Sequence, residues 1–174
     1  MAEAVIGILV ENEADLPLLT RAAEILDQFE TPYELRQLSA HLSLQKVSDY
    51  AAGAQKRGIK VIIAAAHGAA NLAGVVASRT TLPIIGVPLE TSPLGGLGSL
   101  LPTVQMPAGI PVAAMAIGAA GAKNACILAA QILALQDPAL QERIEQYRAA
   151  MATGVEAKGE RLRDQGYRSY LREK

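Results

Sequence analysis

Three short apolar runs do most to limit what this chain can become: Ala-Val-Ile-Gly-Ile-Leu-Val at 4–10, Val-Ile-Ile-Ala-Ala-Ala at 61–66 and Leu-Pro-Ile-Ile-Gly-Val-Pro at 82–88. Each is short for a helix and lacks alternating polar positions, the pattern of a strand buried on both faces of a parallel sheet. Parallel strands need crossover helices, and the intervening segments supply them. Asp15 ahead of Leu16-Pro17 is a capping signal, and Leu19, Ala22, Ala23, Leu26 and Phe29 then mark one helical face that Thr31-Pro32 closes. Residues 33–38 alternate as a second strand, Ser43 is placed to cap a helix through Val47, Tyr50, Ala51 and Ala54, and Gly58 can end it. The small-residue turn 67–74 opens a helix toward Ser78, 99–105 suits a short helix, and 110–117 reads as a fifth strand. An alanine-rich helix ends near Leu135, and Asp137-Pro138 starts another through Leu140, Ile144, Tyr147 and Met151. The expected unit is one doubly wound α/β domain over 1–152. A charged segment follows over 153–174, where Val155, Leu162, Tyr167 and Tyr170 suit a helical arm laid across a neighbouring subunit or a solvated tail.

With 174 residues, 51% of them hydrophobic, the chain can build one well-buried core and is short for two. The formal net charge is −1 and no basic block is interleaved with aromatics, which argues against a nucleic-acid partner. No apolar stretch reaches membrane-spanning length and no basic segment precedes the first apolar run, so the expectation is a cytoplasmic protein without a membrane partner. The single cysteine, Cys126, sits among alanines and reads as a small core residue in a reducing compartment. Between residues 61 and 136 the only charges are Arg79, Glu90 and Lys123. So bare a middle section implies surface covered by other subunits, hence a homo-oligomer.

Ligands of doubly wound sheets bind outside the carboxyl ends of the strands. The loops after the first four strands bring Asn12, Glu13, Asp15, Ser39, His41, His67, Asn71, Glu90 and Thr91 to that edge. His41 is the leading candidate, because neutral imidazole passes protons near working pH, and the set suits acid–base chemistry on a polar small molecule. Competing structural roles exist: Asp15 can cap its helix, and His67 can bond to loop backbone. Glu90, alone in a long apolar and glycine-rich stretch, must be exposed, paired or functional. The two histidines and one cysteine lack zinc-ligand spacing, so no metal is expected, and the glycines match neither phosphate fingerprint.

Ser39-Ala40-His41, 69–74 (Ala-Ala-Asn-Leu-Ala-Gly), 81–88 (Thr-Leu-Pro-Ile-Ile-Gly-Val-Pro), 104–112 (Val-Gln-Met-Pro-Ala-Gly-Ile-Pro-Val) and Ala116-Ile117-Gly118 together resemble the 5-(carboxyamino)imidazole ribonucleotide mutase family, also called the AIR carboxylase catalytic subunit. The resemblance runs from about residue 5 to about residue 150. It implies a three-layer α/β/α sandwich with a parallel, flavodoxin-like sheet and a C-terminal helical extension. It also implies a homo-octamer with active sites at subunit junctions, no metal or organic cofactor, and an isomerase or lyase of purine biosynthesis that moves a carboxylate from nitrogen to the adjacent imidazole carbon. On it, His41 is the proton-transfer residue and Asp15 holds ribose hydroxyls, while Asn12, Ser39, Ala40, Leu42, His67, Gly68, Asn71 and Glu90 occupy substrate-binding positions.

Several positions depart from the family pattern. Glu11-Asn12-Glu13-Ala14-Asp15 replaces Gly-Ser-x-Ser-Asp, Leu42 replaces a phosphate-binding arginine, His67-Gly68-Ala69-Ala70-Asn71 replaces Gly-Gly-Ala-Ala-His, and Glu90-Thr91 replaces Gln-Ser. Losing a guanidinium fork while gaining carboxylates disfavours a phosphate. Three functions fit: the family reaction; carboxylation or decarboxylation by a divergent paralogue on a substrate without phosphate; and a non-catalytic oligomeric binding protein.

Overall fold

The computed structural model describes residues 3–90 and 94–172. Five parallel strands, β1 (Ile6–Val10), β2 (Tyr33–Gln37), β3 (Val61–Ala66), β4 (Ile84–Pro88) and β5 (Ala113–Ala114), form one sheet in the order β2-β1-β3-β4-β5. Among the described residues the α-helices are α1 (Leu16–Gln28), α2 (Leu44–Ala54), α3 (Asn71–Ala77), α4 (Leu97–Val104), α5 (Gly118–Ala134) and α6 (Pro138–Arg172). This is the flavodoxin-like order, with its switch point between β1 and β3.

Alternation along β1 and β3 explains the two cores. Ile6, Ile8, Val10, Val61, Ile63 and Ala65 face α1 and α5, whereas Leu9, Ile62, Ala64 and Ala66 face α2 and α3. Every residue of β1, β3 and β4 is buried, so these strands carry no polar side chains. Burying each large aliphatic contributes roughly 1.5–3 kcal/mol. Helix α5 packs on α1 through the small residues Ala122, Ala125, Cys126 and Ala129, which let the helices lie close. The Cys126 thiol is buried there and pushed up to about 12 by desolvation, as suits a core residue. The start of α6 docks beneath α1: Leu140 and Ile144 are buried, Tyr147 meets Phe29 edge-on with centroids 5.5 Å apart, and Arg143 Nε donates to the Phe29 carbonyl at 2.8 Å.

Three local expectations are corrected, on the fifth strand, on two helix caps and on the start of α4. The fifth strand shrinks from 110–117 to Ala113–Ala114: Pro111 lacks an N–H donor, and although Met115 N still donates to the Gly86 carbonyl at 2.9 Å, only two residues pair in register with β4. Asp15 and Ser43 make no side-chain cap bond; each is drawn elsewhere, as described below. Helix α4 begins at Leu97 rather than 99, since Gly96 takes a left-handed turn (φ 85°) that launches it. Helix α6 runs through Thr153-Gly154 to a kink at Gly166 (φ 72°), largely exposed beyond Ile144. Among the described residues no helix is long and apolar enough to cross a membrane.

Candidate active site

Parallel register fixes what meets at the carboxyl edge. Val10 lies beside Gln37 and Leu38 N donates to the Val10 carbonyl at 2.9 Å, so the residue after β1, Glu11, faces the turn that leaves β2. That turn is tightly self-bonded. Ser39 N donates to Ser43 Oγ at 3.0 Å, Ser43 Oγ donates back to the Ser39 carbonyl at 3.1 Å, and Ser39 Oγ accepts from His41 N and Leu42 N at 3.3 and 3.2 Å. Ser43 is therefore spent on the turn instead of capping α2.

The buried Glu11 Oε1 is the hub of the site. It accepts from Ser39 Oγ at 3.0 Å and Ala40 N at 3.0 Å, and lies 3.1 Å from His41 Nδ1. The other nitrogen of the half-exposed His41 ring lies 3.1 Å from Asn71 Nδ2. Asn71 opens α3, and Ala70 before it sits in the left-handed region (φ 48°, ψ 38°), a conformation that costs a non-glycine residue about 1–2 kcal/mol. Strain of this kind persists where the surroundings over-determine it, and here it delivers Asn71 to the imidazole.

A second cluster lies alongside. His67 Nε2 sits between the Asn12 amide and Asp15 Oδ2, the latter 3.5 Å away, and that Asp15 oxygen is buried without a hydrogen bond. Nε2 can accept from Asn12 or donate to Asp15, but not both at once. Burial raises the Asp15 carboxyl above its ordinary value; His67 opposes the rise in part, and Glu11 adds to it. The folded state thus holds this proton more tightly than the unfolded chain. Asp15 contributes most to stability below the unfolded value of about 3.9, and that contribution is lost as pH rises through the higher folded value. Asp15→Asn, neutral throughout, is expected to raise the melting temperature near pH 7 and to give no advantage near pH 3. A lower melting temperature at pH 7 would mean that pairing with His67 outweighs burial.

The structure brings His41, Asn71, Ser39 and Ala40 into one bonded group, and Asn12, Asp15 and His67 into another. Gly68 turns the loop between them at φ 65°. Leu42 points into solvent, 92% exposed, and Glu90 ends the segment after β4, exposed and joined to neither group among the described residues. Thr91 lies outside the described residues. Glu11, counted from sequence only as added negative charge, is the residue whose role sequence reasoning missed; the β1–β2 register is the signal that points to it. Beside Asn71, a groove of about 430 Å³ is lined by Ala40, Leu44, Ala70, Gly74 and Thr103. A larger one of about 650 Å³ lies near Arg79 and Ile110 with no histidine or carboxylate on its walls, so size alone does not locate the chemistry.

A flavodoxin-like α/β sheet that gathers two carboxylate–histidine pairs at the carboxyl ends of its strands holds groups suited to acid–base chemistry. The AIR carboxylase family model matches residues 5–154. The chain is 47% identical over 168 residues to the N5-carboxyaminoimidazole ribonucleotide mutase of Pyrococcus horikoshii, covering 97% of this chain and 94% of that protein. It is 48% identical over 169 residues to the same-named protein of Thermotoga maritima, covering 97% and 98%. The crystal structure of Treponema denticola PurE superposes with a TM-score of 0.80 at 25% identity, covering 90% of this chain and 97% of that one. This chain belongs to the AIR carboxylase family.

Proposed function

We propose that this enzyme converts 5-(carboxyamino)imidazole ribonucleotide to 4-carboxy-5-aminoimidazole ribonucleotide in purine biosynthesis, with His41 as general acid–base. The observation that carries the reading is His41 itself: one ring nitrogen is engaged by a buried carboxylate and the other lies at the crevice mouth beside Asn71, in a chain 46–48% identical to several mutases along nearly its whole length. The chemistry suits one alternating base. The ring carbon that receives the carboxylate loses a proton, and the exocyclic nitrogen that releases it gains one, so Nε2 takes the first proton and returns the second. Asp15, Asn12, His67, Gly68, Ser39, Ala40, Asn71 and Glu90 are assigned to substrate binding, with Leu42 at the position facing the phosphate.

The assembly is proposed to be a homo-octamer working in the cytoplasm. The exposed apolar face of α4, Leu97, Leu101 and Val104, supports burial against a second copy, and the solvated length of α6 beyond residue 152 supports a helical arm distinct from the 1–152 domain.

The test is turnover of carboxyaminoimidazole ribonucleotide by the wild type and by Leu42→Arg. Leu42 packs against nothing, so the substitution is expected to leave stability unchanged. A guanidinium there adds a charged hydrogen bond to the phosphate, about 1.5–3 kcal/mol, and lowers KM by roughly tenfold or more. A wild type that does not turn this compound over would overturn the assignment.

A further inference from the structure

We infer that Glu11 is a positioning residue for His41, fixing the tautomer in which Nδ1 carries the proton and Nε2 is the basic nitrogen. The inference deepens the proposed acid–base role of His41 and rests on it. A carboxylate has no proton to give, so where Glu11 Oε1 lies 3.1 Å from Nδ1 it must accept, and the proton resides on Nδ1. On the opposite edge the Asn71 amide nitrogen, 3.1 Å from Nε2, donates, and Nε2 must then accept. The two contacts agree on one tautomer, and the nitrogen left basic is the one nearest the crevice.

Glu11 is held for this task. Its carboxylate is buried, with side-chain exposure of 7%, and two further donors, Ser39 Oγ and Ala40 N, pin Oε1. When a carbon-bound proton of the substrate passes to Nε2, the electron pair stays on that carbon and the ring becomes an imidazolium. Its second proton remains on Nδ1, hydrogen-bonded to Glu11. A fixed negative charge at 3.1 Å in a shielded setting stabilises the cation as it forms, without reorganisation. Glu11 itself neither takes nor gives a proton. In the ligand-free protein Asn71 Nδ2 occupies the single Nε2 lone pair, so this amide must swing aside before the substrate proton reaches it.

A purely structural Glu11 would only hold the 39–43 turn, and Glu11→Gln separates the two roles because its amide oxygen can still accept from all three donors while the charge is gone. In Glu11→Gln, kcat is expected to fall by roughly 10–100-fold, the range typical for partners that orient a working histidine, with KM within about threefold and the melting curve unchanged. Glu11→Ala removes the acceptor as well. Nitrogen-15 NMR reads the tautomer directly, and with two histidines in the chain, His41→Asn assigns the signals by difference. The neutral wild-type ring is expected to show protonated Nδ1 and unprotonated Nε2, and Glu11→Ala a mixture of both forms. A wild-type His41 protonated on Nε2, unchanged tautomer preference in Glu11→Ala, or Glu11→Gln with wild-type kcat would each overturn the inference. If the wild type proves inactive on the mutase substrate, the tautomer measurement still decides it.

Discussion

His41→Asn is expected to abolish most turnover, lowering kcat by about 10²–10⁴-fold, the usual contribution of a positioned acid–base group. Asparagine is close to the imidazole in reach, and its amide nitrogen can still donate to Glu11 Oε1, so the turn from Ser39 to Ser43 keeps its bonds. What it lacks is a basic nitrogen on the crevice side. Because the His41 side chain is 53% exposed, little packing is lost and the melting temperature should stay within a degree or two. Steady-state kinetics beside a thermal melt reads both quantities. Turnover within a few-fold of wild type would remove His41 from the chemistry and leave His67, with its Asp15 partner, as the remaining base.

Gly121→Ala is expected to unfold or severely destabilise the protein, by about 3 kcal/mol or more in urea titration, against the usual direction for such a change. In a helix interior, glycine to alanine normally gains up to about 1 kcal/mol. At Gly121, in the first turns of α5, a Cβ would overlap the Ala116 carbonyl, a main-chain group with no rotamer through which to escape. Overpacking commonly costs about 1–3 kcal/mol where side chains can yield, and backbone yields less. A domain with about 5–15 kcal/mol in hand would lose a large part of it. An alanine variant as stable as wild type would show that the 116–118 turn relocates freely, and with it the start of α5.

What sequence made legible tracks how local each cause is. The strands β1, β3 and β4 were readable because burial on both faces leaves no polar position, and α1 because its apolar residues fall on one stripe. The fifth strand was not, since Ile110, Val112 and Ile117 carry strand-like side chains while Pro111 among them has no N–H to pair and only Ala113 and Ala114 stand in register with β4. A single glycine costs a helix only about 1 kcal/mol, so α6 continues past Gly154 and changes direction at Gly166, whose φ of 72° and ψ of 150° lie outside the helical region. In the site, His41 was legible from its place at a strand exit and from its family motif. Asp15 was seen as a cap or a ligand group, yet its burial beside His67 depends on a loop 55 residues past Asn12. Glu11 escaped notice because nothing in its neighbours specifies a partner; only the pairing of Val10 with Gln37 carries it to Ser39 and His41.

The two-sided burial of β1 has a kinetic meaning for the residue that follows it. Main-chain amides in a central strand flanked on both sides by paired neighbours are released to solvent only when the whole sheet opens, at close to the full free energy of unfolding. Glu11 inherits that rarity of motion from Val10, whereas Leu42, three residues beyond Ser39 and fully in water, samples rotamers within nanoseconds. The buried carboxylate beside His41 and the exposed rim at Leu42 therefore fluctuate on well-separated timescales. Substitutions at this rim are thus expected to leave the Glu11–His41 contact undisturbed.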